Sequence, residues 1–185
     1  GGIPVLLDLH NAPVEKLAED LKDRYHVPAT GMAVDITDEN RVALNCEQLV
    51  KQFGGIYGLV NNAANNPKVE GDGQKDFSRL ENFPIDVWNQ DVAVGMTGAF
   101  LCAKHYGAAM ARNSEGGSIV NISSDLGLIA PDQRLYLKEN LSADQQPVKP
   151  VTYSVVKAGL IGLTRYLSTY WADRGVRCNA LCPGG

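Results

Sequence analysis

Hydrophobic and polar positions alternate along this chain in blocks whose lengths are typical of short strands and amphipathic helices. Apolar runs bounded by turn residues or acids predict five strands, at about 3–9, 31–36, 57–62, 118–123 and 176–181. Longer stretches with apolar residues three and four positions apart predict helices at about 13–25, 38–53, 84–112 and 151–171. This alternation predicts a parallel sheet with helices on both faces, a doubly wound α/β fold.

Three features interrupt this regular pattern. The polar segment 65–82 is rich in Gly, Asn and Asp and is predicted to be a mobile loop. The connection 125–151 is so long that it is predicted to be a functional loop or lid. The helix 84–112 carries Gly95, Gly98 and Gly107. Each glycine lowers helix stability by about 1 kcal/mol, so we expect close packing against neighbouring elements in compensation.

Composition excludes several classes of protein. With 185 residues, 44% of them hydrophobic and 21% charged, the chain is predicted to be one globular domain, 1–185. A net charge of −4 without a basic cluster argues against nucleic acid or an anionic membrane as the partner. No stretch is typical of a signal peptide or a membrane span, so a soluble protein is expected. The scattered Cys46, Cys102, Cys178 and Cys182 predict buried reduced thiols in a cytoplasmic protein, and no metal site.

Polar residues and a proline follow the predicted strands directly. In a parallel sheet, ligands bind at the carboxyl ends of the strands, so these residues are expected to share one edge. They are Asp8, Asp35, Asn61, Asn62, Ser123, Ser124 and Pro183.

Tyr153 and Lys157 lie four positions apart on the last predicted helix and therefore on one face of it. A nearby cation favours the phenolate form of tyrosine. Lowering a tyrosine pKa from about 10 to about 7 needs about 4 kcal/mol, more than one exposed charge supplies, so a second aid such as a cationic cofactor is required. The spacing alone arises by chance in about one chain in three, so an ordinary surface pair is the alternative.

Taken together and in order, the motifs resemble the short-chain dehydrogenase/reductase family over nearly the whole chain. They are an acid closing the first strand, Asp35-Ile36, Asn61-Asn62-Ala63-Ala64, Asn121-Ile-Ser-Ser124, Tyr153-x-x-x-Lys157 and Asn179-x-x-x-Pro183-Gly184. The resemblance implies a Rossmann-like fold, a nicotinamide cofactor, and hydride transfer to or from a carbonyl or hydroxyl carbon of a small polar molecule.

The resemblance also implies a role for each catalytic residue. Tyr153 would be the general acid or base for the substrate oxygen, and Ser124 would hydrogen-bond the same oxygen. Ser124 is preferred to Ser123 because the family's serine follows the first hydroxyl of this motif. Lys157 would lower the pKa of Tyr153 together with the nicotinamide, and would bind the nicotinamide ribose.

Asp8 looks like the family's acid that accepts hydrogen bonds from the adenosine ribose. A carboxylate there repels a 2′-phosphate, so NAD is favoured over NADP, the alternative role of Asp8 being a helix or turn cap. Tyr153 and Lys157 count among the cofactor contacts as well. The resemblance assigns the others to Asp35 and Ile36 at the adenine, Asn62 and Ala63 along the cleft, and Pro183 and Gly184 at the nicotinamide.

The chain departs from the family pattern at several points. Gly95 stands where many members have an asparagine that holds a proton-relay water, so either the relay is built otherwise or turnover is impaired. The glycine-rich turn that receives pyrophosphate is missing, which predicts a fragment lacking the first, central strand and the C-terminal segment. Such a sheet would have two unpaired edges.

Ser124 and Tyr153 are 29 positions apart, about twice the usual family separation. The added residues would form an active-site loop at about 125–151, and this region weakly resembles reductases of bacterial surface-sugar synthesis. Its cations either receive an anionic substrate or belong to a solvated loop. They are Arg134, Lys138 and Lys149.

These observations predict an NAD(H)-dependent oxidoreductase acting on a small polar substrate, plausibly a sugar or sugar derivative. Two alternatives remain open: a non-catalytic binding or regulatory module on the same fold, and a redox-neutral epimerase or dehydratase. A homodimer or homotetramer is expected, because the long helix and the Tyr153 helix resemble the family's subunit interface.

Overall fold

The computed structural model describes residues 2–65 and 78–184. Within these residues, five strands alternate with four helices in the order β1, α1, β2, α2, β3, α3, β4, α4, β5. The strands are β1 (Val5–Asp8), β2 (Thr30–Ala33), β3 (Gly58–Asn61), β4 (Gly117–Ile122) and β5 (Val176–Leu181). The helices other than α3 are α1 (Asn11–Tyr25), α2 (Glu39–Phe53) and α4 (Val151–Tyr170). The prediction of a mobile loop at 65–82 falls mostly outside the described residues.

Helix α3 is a continuous helix with two π-helical stretches. Its segments are Ile85–Val92, Ala93–Gly98 (π), Ala99–Cys102, Ala103–Gly107 (π) and Ala108–Met110. The prediction of close packing at its glycines is confirmed, because an added Cβ would collide with a neighbouring side chain at each. The collisions are with Val156 at Gly95, with Ile36 at Gly98 and with Trp171 at Gly107.

Local hydrogen bonds explain how β2 ends and α2 begins. The strand predicted at 31–36 stops at Ala33, because the Asp35 side chain folds back to accept hydrogen bonds from Thr37. Helix α2 begins after Asp38, whose carboxylate accepts hydrogen bonds from the backbone N–H groups of Asn40 and Arg41.

All strand pairs are parallel, as predicted, but they form two separate sheets. One sheet pairs β1 with β2, and the other has the order β3-β4-β5. Within residues 2–65 and 78–184, no strand pairs with the second edge of β1 or of β3. The expected interruption of the sheet therefore lies between these two strands.

One apolar cluster bridges the two sheets. Its buried residues include Val42 of α2 and Tyr106 of α3, and the side chains of Val5 and Leu7 from β1 and Leu59 from β3 pack against it. Helix packing therefore joins the two halves where strand pairing does not.

The cysteines are buried in the core as small apolar side chains, with one exception. Cys46, Cys102 and Cys178 are buried, whereas Cys182 is half-buried. Burial raises the pKa of the Cys102 thiol to about 12. In the described part of the chain, no helix is long and apolar enough to cross a membrane.

The connection between β4 and α4 contains only short 3₁₀ turns, at Asp125–Gly127, Gln133–Tyr136 and Ala143–Gln145. The Gln146 side chain braces it, accepting from the backbone N–H of Lys138 and donating to the carbonyls of Lys138 and Leu141. These bonds tie the residues from Lys138 to Gln146 into one local turn.

Candidate active site

A cleft lies where α3, α4 and the 125–151 connection meet the residues after β3. It brings together residues far apart in the sequence, including the predicted pair at the start of α4. Its lining consists of Ala64, Asn65, Asp91, Gly95, Tyr136, Val148, Lys149, Pro150, Thr152, Tyr153, Val156 and Lys157.

The Tyr153 and Lys157 side chains both face this cleft. The Lys157 Nζ lies 5.7 Å from the centre of the Tyr153 ring and donates a 2.7 Å hydrogen bond to the carbonyl of Ile122, the last residue of β4. Lys157 is 8% exposed, and this burial lowers the pKa of its ammonium, while Tyr153 acts in the opposite direction. One of the three ammonium protons is thus committed to the sheet, and two remain for other partners.

The two serines after β4 are both buried but have different partners. Ser123 Oγ donates a 2.7 Å hydrogen bond to the carbonyl of Lys157, which braces β4 against α4. Ser124 Oγ donates to Asp125 at 2.8 Å and accepts from the backbone N–H of Leu126. Ser124 is not among the residues that line the cleft, and its hydroxyl is occupied by these local bonds.

A buried carboxylate in the cleft wall was missed by sequence reasoning. Asp91 Oδ2 accepts a 2.5 Å hydrogen bond from the hydroxyl of Thr152, and these residues are 8% and 2% exposed. Asp91 lies one helical turn before Gly95 on the same face of α3. Its position four residues before Gly95 in the predicted helix was the available signal.

Of the three predicted cations, only Lys149 lines the cleft. Its Nζ lies 3.7 Å from the centre of the Tyr153 ring and 6.0 Å from that of Tyr136. Arg134 instead forms an exposed, hydrogen-bonded ion pair with Asp132, and this pair raises the pKa of the Arg134 guanidinium. Lys138 is exposed.

The two carboxylates proposed for the cofactor lie in the β1–β2 half of the molecule. Asp8 is exposed at the end of β1, and its Oδ1 accepts from the backbone N–H of Leu9. Asp35 accepts from the hydroxyl and the backbone N–H of Thr37, and these bonds hold its pKa below the usual value. Ile36 packs against the bridging core cluster.

The other proposed cofactor residues lie in the three-stranded half. Asn62 and Ala63 are exposed after β3 and immediately precede Ala64 and Asn65 of the cleft. The carbonyl of Pro183 accepts from the backbone N–H of Asp125, and Gly184 lies beside the Asp125 carboxylate.

The chemistry of these residues fits a nicotinamide dinucleotide. Carboxylates are acceptors for ribose hydroxyls, an ammonium with free protons suits another ribose, and alanines leave a strand end uncrowded. The structure brings Tyr153 and Lys157 into one cleft with Ala64 and Asn65, whereas Asp8 and Asp35 are not part of its lining.

Comparison with known proteins gives consistent matches. The family model described as short chain dehydrogenase matches residues 1–136, and that described as Enoyl-(Acyl carrier protein) reductase matches residues 140–185. An oxidoreductase of Thermotoga maritima is 36% identical over 147 residues, which cover 77% of this chain and 48% of that protein.

Two crystal structures share the fold. NAD⁺-bound xylitol dehydrogenase has a TM-score of 0.80 and 26% identity, covering all of this chain and 61% of the other. A gluconate 5-dehydrogenase from Burkholderia cenocepacia in complex with NADP and tartrate has a TM-score of 0.78 and 23% identity, covering 97% and 60%. The second likeness shows the fold alone. This chain thus spans about half to three fifths of these proteins.

Proposed function

The chain belongs to the short-chain dehydrogenase family, and from this premise we propose an oxidoreductase that transfers a hydride to or from a small polar substrate of the sugar or polyol type. The observation that carries the proposal is the cleft in which Tyr153 and Lys157 meet, with the ammonium anchored to the end of β4. The xylitol dehydrogenase likeness supports the substrate class.

In this mechanism the chain's own groups handle the proton. A bound nicotinamide cofactor supplies or accepts the hydride at the substrate carbon. The Tyr153 hydroxyl delivers a proton to the substrate oxygen or removes one, and the buried Lys157 ammonium keeps positive charge beside the phenol. The family resemblance assigns Ser124 to the same oxygen; its hydroxyl, which does not line the cleft, would first have to release its hydrogen bond to Asp125.

We propose NAD rather than NADP as the cofactor, and Asp8 is the basis of this choice. The chain is similar to both an NAD⁺ complex and an NADP complex, so these similarities do not distinguish the two cofactors, and the choice rests on the Asp8 side chain. Its exposed carboxylate would accept from the ribose hydroxyls and repel a 2′-phosphate. The remaining cofactor contacts in this proposal are Asp35, Ile36, Asn62, Ala63, Tyr153, Lys157, Pro183 and Gly184.

Replacing Tyr153 with phenylalanine in the full-length protein tests the mechanism. General acid–base catalysis contributes about 10²- to 10⁴-fold to a rate. The rate of hydride transfer, followed by the absorbance of the reduced cofactor, should therefore fall by that factor, while the affinity for the cofactor stays unchanged. Tyr166→Phe is the matched control, since Tyr166 is a 62% exposed tyrosine on the same helix.

Either of two results would contradict the assignment: full activity in Tyr153→Phe, or loss of cofactor affinity together with activity. Cofactor binding without any hydride transfer in the unaltered protein would instead favour the non-catalytic module.

We also propose a cytoplasmic oligomer. Helix α4 exposes Val155, Tyr166 and Tyr170, and α3 exposes Phe100, which are apolar surfaces suited to a second copy. The buried thiols suit a reducing compartment. The mass in solution, measured by light scattering, distinguishes a dimer or tetramer from a monomer.

A further inference from the structure

Lys149 is a cation without an acidic partner in the cleft. The lining contains two ammonium groups, those of Lys149 and Lys157, and the carboxylate of Asp91. Asp91 is hydrogen-bonded to Thr152, and Lys157 donates to a backbone carbonyl. Within the described part of the chain, no carboxylate forms an ion pair with Lys149.

The backbone around Lys149 is fixed on both sides. Its N–H donates to the side-chain carbonyl of Gln133, and the N–H of Val148 donates to the Ser78 hydroxyl. Pro150 follows directly as the N-terminal cap of α4. The half-buried side chain therefore starts from an ordered position, and its ammonium rests on the face of the Tyr153 ring.

The Lys149 ammonium thus lies beside Tyr153, the proposed proton-transfer group, and its N–H donors can bind a further partner. A ring face is a weak partner for an ammonium, whereas a carboxylate or phosphate makes charge-assisted hydrogen bonds with it. A neutral hydroxymethyl group offers no such charge. The other two cations of the connection cannot serve this purpose equally, because Arg134 is paired with Asp132 and Lys138 does not line the cleft.

We infer that Lys149 is the specificity-determining residue for an anionic group on the substrate, a carboxylate or a phosphate carried by a sugar-like molecule whose reacting oxygen lies at Tyr153. This inference rests on the proposed function and adds to it the charge of the substrate. The anion would bind beside Lys149 and Tyr136, which both line the cleft.

A pair of substrates that differ only in this group provides the test. In the full-length protein, kcat and KM are measured for gluconate and for sorbitol, which has a hydroxymethyl group in place of the carboxylate. We expect the unaltered protein to prefer gluconate. Lys149→Met should lower kcat/KM for gluconate about tenfold to a hundredfold more than kcat/KM for sorbitol, and the difference should arise chiefly in KM. Lys138→Met, in the same connection, should change neither.

Calorimetric binding of tartrate and of inorganic phosphate gives a readout that needs no turnover. Lys149→Met should weaken whichever anion the unaltered protein binds more tightly, which also distinguishes a carboxylate from a phosphate. Loss of this binding in a protein without hydride transfer would support the anion site while refuting the oxidoreductase proposal.

Three results would overturn the inference. The first is a preference for sorbitol together with no binding of either anion. The second is equal anion binding by the unaltered protein and Lys149→Met. The third is an equal fall in kcat for both substrates in Lys149→Met, which would mean that Lys149 acts through Tyr153 instead.

Discussion

Replacing Gly95 with alanine tests the close approach of α3 and α4 that forms one wall of the cleft. Gly95 is buried, and a Cβ at this position would collide with Cγ1 of Val156 on α4. Val156 is itself 6% exposed and has little room to retreat.

Two opposing contributions set the size of the effect. Alanine is favoured over glycine inside a helix by about 0.5–1 kcal/mol. Overpacking a well-packed core costs about 1–3 kcal/mol. The overpacking term is the larger, so we expect Gly95→Ala to lower the free energy of unfolding by about 1 kcal/mol, or Tm by about 2–4 °C for a chain of this size.

Urea and thermal unfolding followed by circular dichroism measure this change, and the chain supplies a matched control. Gly162 lies on α4, is exposed, and a Cβ there would meet nothing within 4 Å. Gly162→Ala should therefore raise the free energy of unfolding by about 0.5–1 kcal/mol. The same substitution is thus expected to have opposite signs at the two glycines.

A double-mutant cycle identifies the contact responsible. Val156→Ala removes the methyl group that Gly95→Ala would strike, so the double variant should be more stable than the sum of the single changes predicts. If Gly95→Ala stabilises the protein as much as Gly162→Ala does, the helices do not approach closely at Gly95 and the reasoning fails.

The same contact bears on the missing asparagine of the family pattern. An asparagine at position 95 has the same Cβ and three further heavy atoms, so its Cβ would collide with Val156 as that of alanine does. We therefore expect Gly95→Asn to destabilise the protein without raising its activity.

Two further predictions concern buried or local hydrogen bonds. Thr152→Val leaves the buried Asp91 carboxylate without its donor and should lower the free energy of unfolding by about 1–3 kcal/mol, against about 0.5 kcal/mol or less for the exposed Thr169→Val. Thr37→Ala should raise the Asp35 pKa, followed by NMR titration. Because the folded-state pKa of Asp35 is depressed, its stabilisation is present above the unfolded pKa and lost as pH falls through the folded one, so the variant should lose less stability on acidification.

Sequence periodicity predicted the order and type of elements because each helix and strand buries one face. The Tyr153–Lys157 pair also followed from the sequence, since residues four apart on a helix share a face. The π-helical stretches of α3 did not follow from it. The early end of β2 was missed because a side-chain turn at Asp35 replaced the last strand residues.

The lining of the cleft was harder to predict than the Tyr153–Lys157 pair. The hydrogen bond between Asp91 and Thr152 joins two residues on different helices that are 61 positions apart in the sequence, and no local pattern specifies such a contact. Among the three cations of the connection, the choice of Lys149 depended on tertiary position. Only the local pairing of Arg134 with Asp132, two positions apart, was visible in the sequence.

The interrupted sheet separates the proposed proton chemistry from part of the proposed cofactor site. Helix α4 is bonded to β4 by the Lys157 ammonium, by Ser123 and by Asn121, whose amide donates to Thr164. These bonds lie within the three-stranded half and do not involve β1 or β2. Asp8 belongs to the other half, which meets this one through helix packing. A change in cofactor affinity at that carboxylate can therefore occur while the Tyr153 cleft keeps its geometry.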